Sequence, residues 1–144
     1  MVVALLVVAA SAFIGPMPAN AETASETPLS ADAQASWACD TYDHGSGDRV
    51  EYNAYCTRGQ DHFRAVFHAH GEHLKILDSF PNDHHTYAYL DILDTPYVDY
   101  TRHSGSGSWV DFNLSISDGT RISLKVCSSQ TSGARCSPAI YGRA

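Results

Sequence analysis

The sequence predicts an all-β fold: a single antiparallel β-sandwich, jelly-roll-like, or a closed barrel, of about eight to nine short strands. Three observations carry this. Apolar and polar residues alternate with period two in short runs between residues 37 and 141, the pattern of half-buried strands. Clusters of Gly, Pro, Asn, Asp and Ser separate the runs at roughly regular spacing. No run shows the spacing of an amphipathic helix.

The chain of 144 residues opens with MVVALLVVAASAFIGPMPANA, which is apolar to Ile14 and broken by Gly15-Pro16. It ends in the small-x-small pattern Ala19-Asn20-Ala21, so residues 1–21 read as a secretory signal peptide. The apolar run is shorter than the roughly 20 residues a membrane span needs. No Lys or Arg precedes it, so the usual basic n-region is missing and a start further upstream is expected. Residues 22–35 are small, polar and aperiodic and are expected to form a flexible linker. Residues 36–144 are expected to form one β domain, secreted and without membrane attachment after cleavage.

The net charge of −7 falls wholly after Ala21, and Lys75 and Lys125 are the two lysines. A chain this acidic, with no basic patch, is not built for nucleic acid or anionic membranes. Eight histidines predict a change of charge between about pH 5 and 7. Four cysteines in an exported chain predict two disulfides. Zinc is the alternative use of four cysteines, and the absence of any CxxC spacing argues against it.

A first strand is expected over 37–42, then a turn at 44–48. Val50, Tyr52, Ala54 and Cys56 share one face of the next strand, and Phe63, Ala65, Phe67 and Ala69 share one face of its successor. Matching those faces places a two-residue, Gly-first turn at Gly59-Gln60 and pairs Cys56 with Phe63. A second such turn at Gly71-Glu72 pairs Ala69 with Leu74 and Phe67 with Ile76, completing a meander over 49–78. After a loop at 79–85, Ala88, Leu90 and Ile92 define a strand that is covered on both sides if Tyr87, Tyr89 and Leu93 are buried too. Further strands are expected at 97–102 and 136–141.

Residues 109–127 read as a hairpin. A three-residue loop, Ser117-Asp118-Gly119, with Gly119 at positive φ, pairs Leu114 with Ile122, Phe112 with Leu124 and Trp109 with Cys127. Ser132-Gly133 reverses the chain between Cys127 and Cys136, which predicts one disulfide there and, by elimination, Cys39 with Cys56.

The expected register makes His70 and His73 cross-strand neighbours, with His68 two residues back on the same face. Three imidazoles beside Glu72 are a candidate site for Zn, Cu or Ni. Against it, Lys75 lies opposite His68; no cofactor is predicted outright. The loop residues Asp83, His84 and His85 form a second polar group. Tyr55, Tyr87, Tyr89 and Trp109 fall opposite the main apolar stripes and are candidate binding-surface aromatics.

Catalysis has little support. No GxSxG elbow occurs, and the cysteines are committed. A carboxylate pair from Glu51, Asp91, Asp94 or Asp99, or a Glu51–His62–Arg64 nuclease set, are weak coincidences. No catalytic residue is assigned.

The ending VCSSQTSGARCSPAIYGRA, after a strand pair with an Asp-Gly turn, resembles small secreted actinobacterial two-disulfide β-sandwich proteins. The resemblance implies a compact sandwich and brings no site residues with it. The expected function is a secreted, non-enzymatic binding module for an extracellular protein or a wall polysaccharide. The alternatives are a metal-binding protein using the histidine cluster and a small secreted hydrolase.

Overall fold

A computed structural model describes residues 36–95, 98–105 and 107–144; the expected signal peptide and linker lie outside the described residues. Nine strands are present there: β1 (Ala38–His44), β2 (Glu51–Arg58), β3 (Asp61–His68), β4 (His73–Asp78), β5 (Thr86–Ile92), β6 (Asp99–Ser104), β7 (Trp109–Asn113), β8 (Arg121–Cys127) and β9 (Ile140–Arg143). The one helical piece among the described residues is a 3-10 turn at Gly47–Arg49.

The strands form two antiparallel sheets, ordered β1-β2-β3-β4-β7 and β6-β5-β8-β9. The sheets stay open, so the sandwich and not the barrel is realised. β1 to β4 run as a plain meander rather than in the Greek-key order of a jelly roll.

The β2–β3 register is as the side-chain pattern predicts: Cys56 pairs with Phe63, Ala54 with Ala65 and Tyr52 with Phe67. Gly59 takes the positive φ (61°) that a Gly-first turn requires. The next register differs. Phe67 pairs with Leu74, Ala65 with Ile76 and His68 with His73, two places from expectation. Gly71 and Glu72 both adopt positive φ (80° and 49°), and the loop takes four residues, 69–72. A shift of two leaves every side chain on its own face, so the apolar pattern fits either register.

The expected 109–127 hairpin is not formed. β7 pairs with β4 in one sheet, with Leu77 opposite Trp109, while β8 pairs with β5 and β9 in the other. A turn does form at 117–120, with Gly119 at φ 77° and Thr120 N–H donating to Ser117 C=O at 3.1 Å. Its two arms lead to different sheets. Both strands alternate because both face one core, from opposite sides.

Both expected disulfides are present, Cys39–Cys56 and Cys127–Cys136. Each joins residues paired across a ladder or bridge, Cys39 with Cys56 and Cys127 with Cys136. The core is filled from one sheet by Phe63, Phe67, Leu74 and Ile76 and from the other by Leu90, Ile122, Leu124 and Val126, all fully buried. Ala88, Leu90 and Ile92 take the core side as predicted, and Tyr87 and Tyr89 are half-buried on the other side of β5.

Two features hold the sheets to each other. The first is Asp78, buried at the core end of β4. Its carboxyl accepts from the backbone N–H groups of Phe80 and Thr86, both at 3.1 Å. Its own C=O accepts from Gly107 N–H at 2.6 Å. The second is the contact of Tyr52 with β9. A Cβ on Gly142 would lie 2.1 Å from the Tyr52 ring, so only glycine fits there. The Tyr52 hydroxyl in turn accepts from Arg143 N–H at 3.0 Å.

Replacing Asp78 by Ala leaves these N–H groups without their acceptor, and a loss of about 2 to 4 kcal/mol is expected in urea unfolding. Gly142→Ala should cost about 1 to 3 kcal/mol through overpacking. Gly133→Ala, whose Cβ would meet nothing within 4 Å, should stay within about 0.5 kcal/mol of wild type in the same assay.

Candidate functional site

Strand alternation sends Glu51, Asn53 and Tyr55 of β2, Arg64, Val66 and His68 of β3, and His73, Lys75 and Leu77 of β4 to the outer face of the five-stranded sheet. The observed registers align them in cross-strand rows. One row runs Tyr55–Arg64–Leu77–Trp109. The next runs Tyr42–Asn53–Val66–Lys75–Asp111, and a third begins His44–Glu51–His68–His73. A shallow cavity of about 470 Å³ opens on this face between Arg64, His68, Lys75, Trp109 and Asp111. A smaller depression of about 190 Å³ adjoins Tyr42, Tyr55 and Arg64.

The face is internally bonded. Arg64 Nε donates to Asn53 Oδ1 at 3.1 Å, and its terminal nitrogen reaches both Asn53 Oδ1 and the Tyr42 hydroxyl. This bridge roofs Asn53, which is 1% exposed although it lies on the outer face. The Arg64 guanidinium carbon sits 5.6 Å from the Tyr42 ring centre, and the Tyr42 and Tyr55 rings meet edge-on at 5.9 Å. Tyr42 and Trp109 remain 43% and 47% exposed. Tyr42, held by Arg64 and Tyr55 yet open to solvent, is suited to contact a ligand without further ordering.

The three expected metal histidines each turn to a separate carboxylate. His68 Nδ1 lies 3.0 Å from Glu51, His73 Nδ1 lies 2.8 Å from Asp111, and His70 Nδ1 lies 4.0 Å from Asp48. His73 is the cross-strand neighbour of His68, not of His70, because of the register shift. Among the described residues, no group of three or more His, Cys, Asp or Glu side chains is placed to hold one ion. The 83–85 loop does not approach this tip: it leaves the Asp78 end of β4, about 17 Å along the strand from His73.

The four candidate aromatics divide between two surfaces. Tyr55 and Trp109 share the row described above. Tyr87 and Tyr89 lie on the outer face of the four-stranded sheet, on the opposite side of the sandwich. There Tyr87 packs beside His103 (5.5 Å between ring centres), and Lys125 covers Tyr89 at 5.1 Å.

The catalytic combinations do not assemble. Glu51 pairs with His68 and Thr57 with His62, so Glu51 and His62 sit about six residues, or ~20 Å, apart along the sheet. Asp91 accepts from the Ser123 hydroxyl and Asp99 from Ile92 N–H, on the other sheet from Glu51. Asp94 accepts from Arg121 N–H at 2.8 Å and from Arg121 Nε at 2.7 Å. These bonds, the backbone one foremost, hold its carboxyl below the usual carboxylate value of 3.8.

Tyr42, Asn53 and Asp111 are members of the face that sequence reasoning did not single out. The signal for Asp111 was its place two residues from Trp109, but that places it here only once β7 is known to pair with β4. No family model, curated protein or solved structure matches the chain. Fold and face together define an open, doubly bridged β-sandwich with an aromatic and polar sheet surface.

Asp94 gives a pH signature. A carboxyl with a lowered folded pKa contributes stability above its ordinary value and loses it as pH falls through the lower, folded value. Asp94→Asn should therefore melt below wild type at neutral pH, with the gap closing on acidification to about pH 2. A gap that stays constant across that titration would refute the assignment.

Proposed function

We propose that this protein is an exported, non-enzymatic binding module that recognises a polysaccharide, such as a cell-wall polymer, on the outer face of its five-stranded sheet. The observation that carries this reading is the row Tyr55–Arg64–Leu77–Trp109, with Tyr42 beside it. Tyr55 and Trp109 stand three strand spacings apart, about 14 Å. That separation suits a short length of polymer better than a single sugar. Aromatic rings offer flat apolar surfaces for sugar rings, and Arg64, Lys75, Asp111 and Glu51 supply donors and acceptors for hydroxyl groups.

A protein partner fits the face less well. Charged residues interleave with the rings, whereas the centres of protein interfaces are depleted of charge. Export is supported by the signal-peptide pattern of residues 1–21 and by the two disulfides. Among the described residues no helix is long and apolar enough to cross a membrane.

Co-sedimentation with purified cell walls and with a panel of insoluble polysaccharides tests this. Wild type should be retained on at least one polymer. Trp109→Ala and Tyr55→Ala should each weaken retention by roughly tenfold or more, as loss of a central aromatic contact does. Tyr89→Ala, on the opposite sheet, should bind as wild type. Retention on none of the polymers would end the proposal.

A further inference from the structure

A separate concavity, of about 630 Å³, lies away from the sheet face, at the end of the sandwich where the β2–β3 turn, the 79–85 loop and the 128–135 loop meet. Its charge is out of character with the chain. The protein carries sixteen Asp and Glu against nine Lys and Arg, yet the described lining holds Arg58 and Arg135 and no carboxylate.

Arg58 is held rigidly. Its guanidinium carbon lies 4.9 Å from the Trp37 ring centre and 5.0 Å from that of Phe80. One terminal nitrogen binds Asp61 at 2.9 Å, so part of its charge is answered. A guanidinium has five N–H donors, and this bond uses one of them. Arg135 is exposed and has no carboxylate partner among the described residues. Its backbone, by contrast, is fixed: Arg135 N–H donates to Ser128 Oγ at 3.0 Å and its C=O accepts from Ser128 N–H at 2.8 Å.

The hydroxyl groups add donors. Ser128 Oγ acts as acceptor in that bond and keeps its own proton to give. Ser129 and Thr131 share one bond at 2.9 Å, which leaves one of their two protons over. Ser128 and Ser129 are 7% and 6% exposed, built into the cleft wall rather than scattered on the surface. The Cys127–Cys136 bridge closes the loop that carries them.

Two guanidinium groups, one of them already bonded to Asp61, and two spare hydroxyl protons surround one opening whose described lining holds no carboxylate. We propose that this cleft binds an oxyanion carried on a small polar ligand, with an acidic sugar as the class that fits. The volume is within the range of small-molecule sites and exceeds what a bare anion fills. Arginine is suited to planar, two-point recognition of carboxylate or phosphate. The remaining polar wall, including Asn82 and Thr131, matches hydroxyl groups on the carrier.

Isothermal titration with glucuronate, inorganic phosphate and glucose, at matched ionic strength, tests the proposal. Glucuronate should give saturable heat and glucose none. Phosphate binding more weakly than glucuronate identifies a carried oxyanion. Phosphate binding as tightly or more tightly overturns the acidic-sugar class. Arg135→Gln should weaken glucuronate binding about tenfold or more, the loss of a charge-assisted hydrogen bond. Because only the Arg135 backbone bonds to the loop, that variant should keep the wild-type melting temperature. No heat with either anion, equal heat with glucose, or unchanged affinity in a folded Arg135→Gln protein would each refute the site.

Discussion

The carboxyl of Asp78 receives the backbone N–H groups of Phe80 and Thr86 where the chain leaves the five-stranded sheet, and the Asp78 carbonyl receives Gly107 N–H where the chain returns to it. Two of the three passages between sheets thus meet at one residue. A carboxyl with no solvent exposure is costly to bury unless hydrogen bonds satisfy it. Here its partners belong to the connections themselves. The cost is offset only when the 79–85 loop and the start of β5 are both in place, so sheet packing and loop structure form together.

With the sheets fixed from within, the outer faces are relieved of core duty. The two disulfides act near the sheet margins: Cys39 lies on the edge strand β1, and Cys136 on the segment leading to the edge strand β9. Edge strands are where a sheet is most prone to open or to pair with another chain. Restraining them lowers the entropy of the unfolded chain, by about 3 kcal/mol for a loop of some 15 residues in the chain-entropy model. The exposed rings at Tyr42 and Trp109 lie on the outer face of the five-stranded sheet and contribute little to the core.

Side-chain faces were legible in the sequence almost throughout, because burial on one side imposes a period of two. Registers were legible only up to a shift of two. At Gly59-Gln60 the shortest turn was the one used, and the pairing of Cys56 with Phe63 followed. At Gly71 the same rule led two places astray, because Glu72 accepts a left-handed conformation that a longer loop needs. Sheet membership was not legible at all. Phe112 and Leu124 both point to the core, and alternation alone cannot say whether they do so side by side in one sheet or across from each other in two. Asp78 left a trace that went unread: a carboxylate at a core-parity position, after Leu74 and Ile76, signals a buried polar anchor.

The sheet membership of β7 decides what the surface can do. Paired with β8, Trp109 would sit against Cys127 and its disulfide, as packing. Paired with β4, it stands opposite Leu77, in line with Arg64 and Tyr55, and it carries Asp111 to His73 and Lys75. Where the chain crosses between sheets, Leu114 and Ile116 pack against the core, and Leu114 N–H donates to Glu72 C=O at 3.0 Å. The same four-residue loop that displaced the expected histidine cluster thus supplies the acceptor just beyond the end of β7. Loss of a metal-like grouping and gain of an aromatic row are two results of one local choice of turn, and this is why the sheet face, rather than the hairpin tip, carries the functional reading.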